Sequence, residues 1–351
     1  MFLPLYWLYL WQIKEYRVGR MQSHIRLLSS YELLKAFLWG QWRRPHFTSK
    51  LLMITGVTGL LGLSLVVVIA LWSDFSFLNT LLGIGLAWLL SPLLVSLSVG
   101  LVALIERPIK QRVISNARRK SETFFKDTLV IGITGSYGKT TTKEFLKHIM
   151  SVTKDIAVTP EHVNQTLPMA QFINNLERAP EILIVEYASY GIGNIDYDAK
   201  NVISPDWAIL TGIAPQHLEL FGSLENIVTA KLELVGNVPS DAPVFFNADD
   251  ARLSNAIANL NRENTVGYSA ADITSHMDTL SWKDELKGKL LQKMFATNVA
   301  AAIAVAKACD ISDADIVRGI EDISWLPRTL EPRSFQHFEL IDDSYSCNPY
   351  G

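Results

Sequence analysis

The sequence predicts an α/β protein, a mostly parallel sheet flanked by helices and containing a P-loop, preceded by a transmembrane helical hairpin. Three observations predict it. Two long uncharged runs, Leu51–Trp72 and Phe75–Ile105, lie between basic flanks. Beyond them, short apolar runs alternate with helical stretches, the pattern of a parallel sheet covered on both faces. Between the first of those runs, Thr128–Ile131, and a helical stretch, 142–150, stands Gly132-Ile-Thr-Gly-Ser-Tyr-Gly-Lys-Thr-Thr141.

The chain has 351 residues, enough for two or three domains. Charge is placed unevenly. Residues 1–126 hold 15 Lys and Arg against 5 Asp and Glu, and the remainder holds 17 against 30. A basic front half beside apolar runs points to a membrane surface carrying anionic lipid, not to nucleic acid. Two cysteines, Cys309 and Cys347, exclude a disulfide framework and a four-thiolate zinc site. Reduced thiols are the simpler reading.

Taken in order, Met1 to Ile13 is apolar and aromatic, with Trp7 and Trp11. It is shorter than the roughly 20 residues a spanning helix needs. It reads as an interfacial anchor, a short first span or part of a signal-like segment. No small-residue cleavage site follows it, so processing is not expected. Together with residues 14–50, which are mixed and basic, it makes a juxtamembrane segment over 1–50. Trp39 and Trp42 sit near the next apolar run, where interfacial aromatics are common. Residues 51–106 then read as two transmembrane helices, 51–72 and 77–105, with Pro92 kinking or tilting the second. Residues 107–127 form a basic linker. Basic flanks on both sides and a short, non-basic link at Asp74 place the flanks in the cytoplasm. The expected protein is a multi-pass membrane protein whose glycine-rich loop faces the cytosol.

Residues 128–330 read as the central domain. Strand candidates are 128–134, 181–187, 206–211 and 243–247. Helix candidates are 139–151, 168–178, 223–237, 248–260, 294–309 and 312–322. Ligands of such sheets bind outside the carboxyl ends of the strands. Three features fall there: the loop 132–141, Glu186 and Thr211-Gly212.

A strand, a glycine turn and a helix N-terminus make a phosphate cradle, with N–H groups and the positive end of the helix dipole aimed at the anion. Here it consists of Gly135, Ser136, Gly138, Lys139, Thr140 and Thr141. Lys139 would sit on the β- and γ-phosphates, and the Thr140 hydroxyl would bind Mg²⁺. The strict pattern has glycine where this chain has Ile133, so the loop is a variant. Glu186 ends an apolar strand and either shares Mg²⁺ with Thr140 or is an ordinary surface glutamate. His217 either binds a second metal or is simply packed or solvated. Lys231 reads by spacing as a solvated lysine, on a helix that Ser223 can cap. Asn298 opens an alanine-rich helix and either reads a base or caps that helix.

Together these motifs resemble the Mur ligase family, over roughly residues 128–351. The resemblance is carried by Gly132–Glu144, Thr159-Pro with Asn164 downstream, Glu186 followed by Gly191, His217–Ser223, Lys231, Asn247–Asp250, Asn298 with its alanine helix, Pro327-Arg328 and Ile341–Pro349. It implies an ATP-dependent amide ligase of peptidoglycan precursor synthesis. In that chemistry ATP converts a muramyl-peptide carboxylate to an acyl phosphate, which the amine of an amino acid or a dipeptide such as D-Ala-D-Ala attacks. The implied cofactors are ATP and Mg²⁺. Lys139, Lys231 and His217 would be the catalytic residues. Thr140 and Glu186 would hold the first Mg²⁺, and His217 with a carbamylated Lys231 the second. Asn298 would contact adenine, with Arg328 and Asp342 near the ribose and phosphates.

Departures from the family pattern stand beside it. The His-Asn before the adenine asparagine reads Met294-Phe295, and Ser346 replaces an asparagine. A membrane hairpin stands where the family has a domain that grips a UDP-sugar, which makes a lipid-linked muramyl peptide conceivable beside a UDP-linked one. Residues 331–351 look like the start of a C-terminal ligase domain that then stops, as in a fragment or a protein completed by a separate chain. Other cell-wall enzymes are possible partners. The alternatives are a membrane poly-γ-glutamate synthase-like ligase and a non-catalytic nucleotide-binding scaffold.

Overall fold

The structure, a computed structural model, describes residues 3–27, 29, 31–32, 45–273, 295–321, 331–336 and 338–344. The chain divides into two units, Met1–Gln111 and Arg112–Gly351.

The first unit is helical. It holds α1 (Leu3–Ile13), α2 (Val18–Leu27), α3 (Ser49–Trp72), α4 (Phe77–Leu89) and the opening turns of α5 (Ser91–Thr123). The Thr48 hydroxyl caps α3 by accepting from the Leu51 N–H. A small core gathers Leu3, Trp7 and Trp11 with Leu51, Ile54, Val95 and Val99. The Trp11 indole N–H donates to the Ser96 hydroxyl at 3.1 Å. The Gln12 amide donates to the His46 carbonyl at 2.6 Å and accepts from its N–H at 2.7 Å. Residues 3–13 are thus a helix packed on its neighbours. Helices α3 and α5 are long and apolar enough to cross a membrane. The second differs from the expected span at 77–105. The uncharged run breaks at Leu90, and Pro92 falls in the first turn of α5, where its missing N–H has no helical partner to lose. From there α5 runs on to Thr123, through most of the stretch that reads as a basic linker.

The second unit is built on a six-stranded, wholly parallel sheet. Its strands are β1 (Leu129–Thr134), β2 (Ile156–Val158), β3 (Ile182–Glu186), β4 (Trp207–Leu210), β5 (Val244–Asn247) and β6 (Thr265–Tyr268), in the order β2-β3-β1-β4-β5-β6. Side chains alternate between the faces, and both faces are covered. Ile131, Ile133, Ile184 and Phe245 point into one core, shared with α6 (Lys139–Met150), α12 (Ala296–Ala308) and α13 (Asp313–Glu321). Val130, Leu183, Val185 and Leu210 point into the other. That core is shared with α7 (Thr166–Asn175), α8 (Asn194–Asn201), α10 (Leu224–Gly236) and α11 (Ala251–Ala258). One turn of helix, α9 (Leu218–Phe221), precedes α10.

The last turns of α5 belong to this second core. Ala117 is fully buried in it. The Asn174 amide donates to the Val113 carbonyl at 2.9 Å, and Arg118 donates to the Ser204 hydroxyl at 2.8 Å. A separate antiparallel hairpin, β7 (Glu331–Phe335) with β8 (Phe338–Asp342), follows.

From β1 the chain runs to the sheet edge at β2, returns to β3 beside β1, then crosses to β4 on the other side of β1. That reversal is the topological switch point, where open α/β sheets hold ligands. The carboxyl ends of β1, β3 and β4 meet there.

Candidate functional site

The glycine loop leaves β1 at Thr134 and enters α6 at Lys139. Gly138 has φ 76°, in the left-handed region, and a Cβ on it would stand 2.7 Å from the Asn298 amide nitrogen. A glycine is required there for both reasons. The loop rests on the segment after β4: the Ser136 N–H donates to the Gly212 carbonyl at 2.8 Å, and the Ser136 hydroxyl to the Ala214 carbonyl at 3.1 Å. The Thr134 hydroxyl donates to the Tyr187 carbonyl at 2.8 Å. These bonds tie the three strand ends together. The first turn of α6 supplies backbone N–H groups without intrahelical partners, which favours an anion. Lys139 arches back over the loop and donates to the Gly135 carbonyl at 2.9 Å. Burial pushes its amine below the usual lysine range, against the pull of Glu186.

Glu186, at the end of β3, is buried and hydrogen-bonded through both carboxylate oxygens. Its Oε2 accepts from the Thr140 hydroxyl at 3.0 Å and from the Lys143 amine at 3.2 Å, while Oε1 accepts from the Asn164 amide at 3.0 Å. Its N–H donates to the Thr159 hydroxyl at 3.0 Å. Burial alone would raise its pKa. The ammonium groups of Lys143 and Lys139 and the bond from Asn164 outweigh burial and hold the carboxyl below its ordinary range. The surface-glutamate reading of this residue is therefore set aside.

Lys231 is 5 % exposed, so its solvated reading fails too. Helix α10 begins with Ser223 as its cap and aims this side chain inward, where it donates to the Ser189 hydroxyl at 3.0 Å. Burial, reinforced by the charge of Lys139, pulls its pKa down to about 7, with Glu186 and Glu233 opposing. The next residue of the same loop, Tyr190, packs its ring 5.1 Å from that of His217. His217 is exposed, with φ 54° at the start of α9. The loop after β3 thus touches Lys231 with one residue and His217 with the next.

Asn298 lies in the first turn of α12, whose cap position is Phe295. Its amide reaches across to the glycine loop, donating to the Gly138 carbonyl at 3.2 Å and the Thr142 hydroxyl at 2.9 Å. Thr141 is buried at the start of α6. Asp342 ends β8 and pairs with Arg333 at 3.0 Å. Arg328 lies outside the described residues.

Among the described residues no cluster of three or more His, Cys, Asp or Glu forms a ready metal cage. Thr140 and Glu186 offer a hydroxyl and a carboxylate in contact. That sparse set suits Mg²⁺, which takes one or two protein ligands beside phosphate and water. Ser189 is absent from the sequence reading, whereas Lys143 and Thr159 enter it only inside the family motifs, with no role of their own. A further signal for Lys143 is its i+4 spacing from Lys139, which places both on one helix side.

An open parallel sheet with a phosphate-type loop at its switch point defines a P-loop α/β protein. Residues 133–306 match the Mur ligase middle domain. The chain belongs to the Mur ligase family through that domain. It is 26 % identical over 232 residues to the UDP-N-acetylmuramoyl-tripeptide–D-alanyl-D-alanine ligase of Bacillus subtilis, covering 63 % of this chain and 50 % of the relative. The Haemophilus influenzae ligase of the same name is 28 % identical over 235 residues, covering 62 % and 51 %. The chain therefore spans about half the length of these curated relatives. Among solved structures, MurF from Thermotoga maritima in complex with ADP shares the fold, with a TM-score of 0.56 at 24 % identity. The match covers 69 % of this chain and 58 % of that one. MurF from Acinetobacter baumannii does so with a TM-score of 0.55 at 23 % identity, covering 69 % and 56 %.

Proposed function

We propose that the chain is the ATP-binding, carboxylate-activating part of a membrane-tethered amide ligase. Its substrate would be a muramyl peptide, UDP- or lipid-linked, extended by an amino acid or by a dipeptide such as D-Ala-D-Ala. The observation that carries this reading is the meeting of Lys139, Thr140 and Glu186 at one strand-end crevice beneath a glycine loop. Family membership supports it. The length and apolarity of α3 and α5, with basic residues on both flanks, support insertion in a bilayer with the sheet domain on the cytoplasmic side.

The loop N–H groups and Lys139 bind the triphosphate and spread its charge. The family resemblance assigns Asn298, whose amide donates to the glycine loop, to adenine, and Arg328 and Asp342 to the ribose and phosphates. A substrate carboxylate oxygen attacks the γ-phosphorus, the bond to the β-phosphate oxygen breaks, and ADP and an acyl phosphate result. The incoming amine then attacks the acyl carbon, loses a proton, and phosphate leaves. The protein's part is positioning and charge neutralisation more than covalent chemistry. Mg²⁺ on Thr140 and Glu186, with a second ion at His217 and Lys231, would offset the phosphate charge during transfer. Lys231 suits carbamylation because burial brings its pKa down to about 7, so that about half of the amine is uncharged near neutral pH, and the neutral amine is what adds to carbon dioxide. The carbamate would place an anion where an ammonium now donates to Ser189.

The test uses the full chain in detergent or nanodiscs, with any downstream domain its gene encodes. Lys139→Ala should weaken Mg·ATP retention by about tenfold to a hundredfold, the scale of one hydrogen bond to a charged group. Hydroxylamine should trap an activated carboxylate only when ATP and a muramyl peptide are both present. Retention of ATP unaffected by Lys139→Ala would sink the reading. Turnover that requires glutamate and ignores muramyl peptides would transfer it to a poly-γ-glutamate synthase-like ligase.

A further inference from the structure

We propose that Lys143 is a positioning residue that holds the Glu186 carboxylate and makes entry of a divalent cation depend on the nucleotide. This rests on the reading of Glu186 as a metal ligand given above.

Lys143 is 0 % exposed. An ammonium is rarely sealed from water unless its charge is matched and its donors are used. Its Nζ donates to the Thr159 carbonyl at 2.7 Å and to Glu186 Oε2 at 3.2 Å. Thr159 holds both partners, because its hydroxyl accepts from the Glu186 N–H at 3.0 Å. A carboxylate offers about four acceptor sites. Thr140, Lys143 and Asn164 already use three of them. The carboxylate is therefore fixed in direction, and a buried ammonium already balances its charge.

A divalent cation arriving alone meets a carboxylate already balanced by the buried Lys143, with the Lys139 ammonium beside it, not a bare carboxylate. A triphosphate in the loop adds several negative charges beside the pair and restores the attraction. The cation then enters with the nucleotide, and the site does not fill with metal while empty. A buried pair of this kind is weak evidence of net stabilisation, because desolvation of the two charges offsets their attraction.

The experiment is a Mn²⁺ titration of the full chain, followed by the electron paramagnetic resonance of free Mn²⁺, with and without a non-hydrolysable ATP analogue. The wild type should retain Mn²⁺ only when the analogue is present. Lys143→Gln keeps a donor for the Thr159 carbonyl but removes the charge. It should retain Mn²⁺ without nucleotide, tightening affinity by about tenfold or more, as expected when a nearby like charge is removed. A merely structural lesion would lower retention, so the sign separates the two roles. Lys143→Met should give the same gain; if it does not fold, the glutamine variant and the wild-type titration still decide. Tight Mn²⁺ retention by the nucleotide-free wild type would overturn the proposal, as would a Lys143→Gln variant that binds Mn²⁺ no better than wild type. Failure of the wild type to bind the analogue at all removes the functional reading as well, and shows itself before Lys143 is altered.

Discussion

Helices α3 and α12 are both apolar almost throughout, yet they occupy opposite surroundings. Helix α12, Ala296–Ala308, is buried along most of its length against α6, with Ala301, Ala302, Val305 and Ala306 inaccessible or nearly so. Helix α3, Ser49–Trp72, buries three residues, while Leu63 is 60 % and Trp72 93 % exposed. Their lengths differ as their settings do. Thirteen residues make a rod of about 20 Å, and 24 make one of about 36 Å, against a hydrocarbon core of about 30 Å. Side-chain size differs as well. Alanine lets one helix back approach another, whereas outward leucines need an apolar surrounding that the first unit does not itself supply. Hydropathy already ranks α3 above α12, and length and side-chain volume widen the difference.

The strongest way to break this contrast is a charge in the middle of α3. Leu63→Arg should cost insertion about 2.5–3.5 kcal/mol and shift the chain out of the carbonate-resistant membrane fraction. If the variant extracts with membranes as completely as the wild type, Leu63 does not lie in hydrocarbon and the reading of α3 as a span falls. A smaller effect is expected on the other helix. Ala302→Leu forces extra volume into a closed contact and should lower stability by about 1–3 kcal/mol in urea unfolding of the sheet unit. An unchanged midpoint would mean that α12 is packed more loosely than its burial implies. The mildest perturbation concerns two lysines that read alike in the sequence, Lys231 and any lysine left in water. With its pKa near 7, the neutral amine of Lys231 becomes the majority form as pH rises through about 7. A carbamate signal from ¹³C-labelled bicarbonate should therefore grow between about pH 6 and pH 8, far below the range of an ordinary lysine amine. Lys231→Met should erase it, and a signal that appears only near pH 10 would remove the special role of this side chain.

Much of the sheet domain was legible because its central strands are buried on both faces. Ile131 and Val130 look into different cores, so β1 reads as a continuous apolar run, and β3 and β4 do the same. The strands nearest the sheet edges were not legible. β2 is three residues long, and β6 carries Gly267 with an exposed Val266. Helix α8 escaped because one inward position is polar: Ile195, Asp198 and Ala199 point inward, and the aspartate breaks the apolar period. At the site, the loop and Glu186 could be read from a local motif and a strand end. Lys143, Thr159 and Ser189 could not, because their roles arise where β2, β3, α6 and α10 converge. Lysine on a helix reads as solvated until the fold shows what lies over it. Asn298 is a partial case: its importance was legible, but its bonds to the glycine loop cross 160 positions of chain.

The end of α5 bears on how the sheet domain could be produced apart from its helices. A cut placed just before β1, where the strands begin, would remove Ala117 from its core. It would also strip Asn174 and Ser204 of their bonds to Val113 and Arg118. A water-soluble version trimmed at Leu129 should aggregate on expression, whereas one beginning at Arg112 keeps the helical turns that bury Ala117 in this core and carry the bonds at Val113 and Arg118.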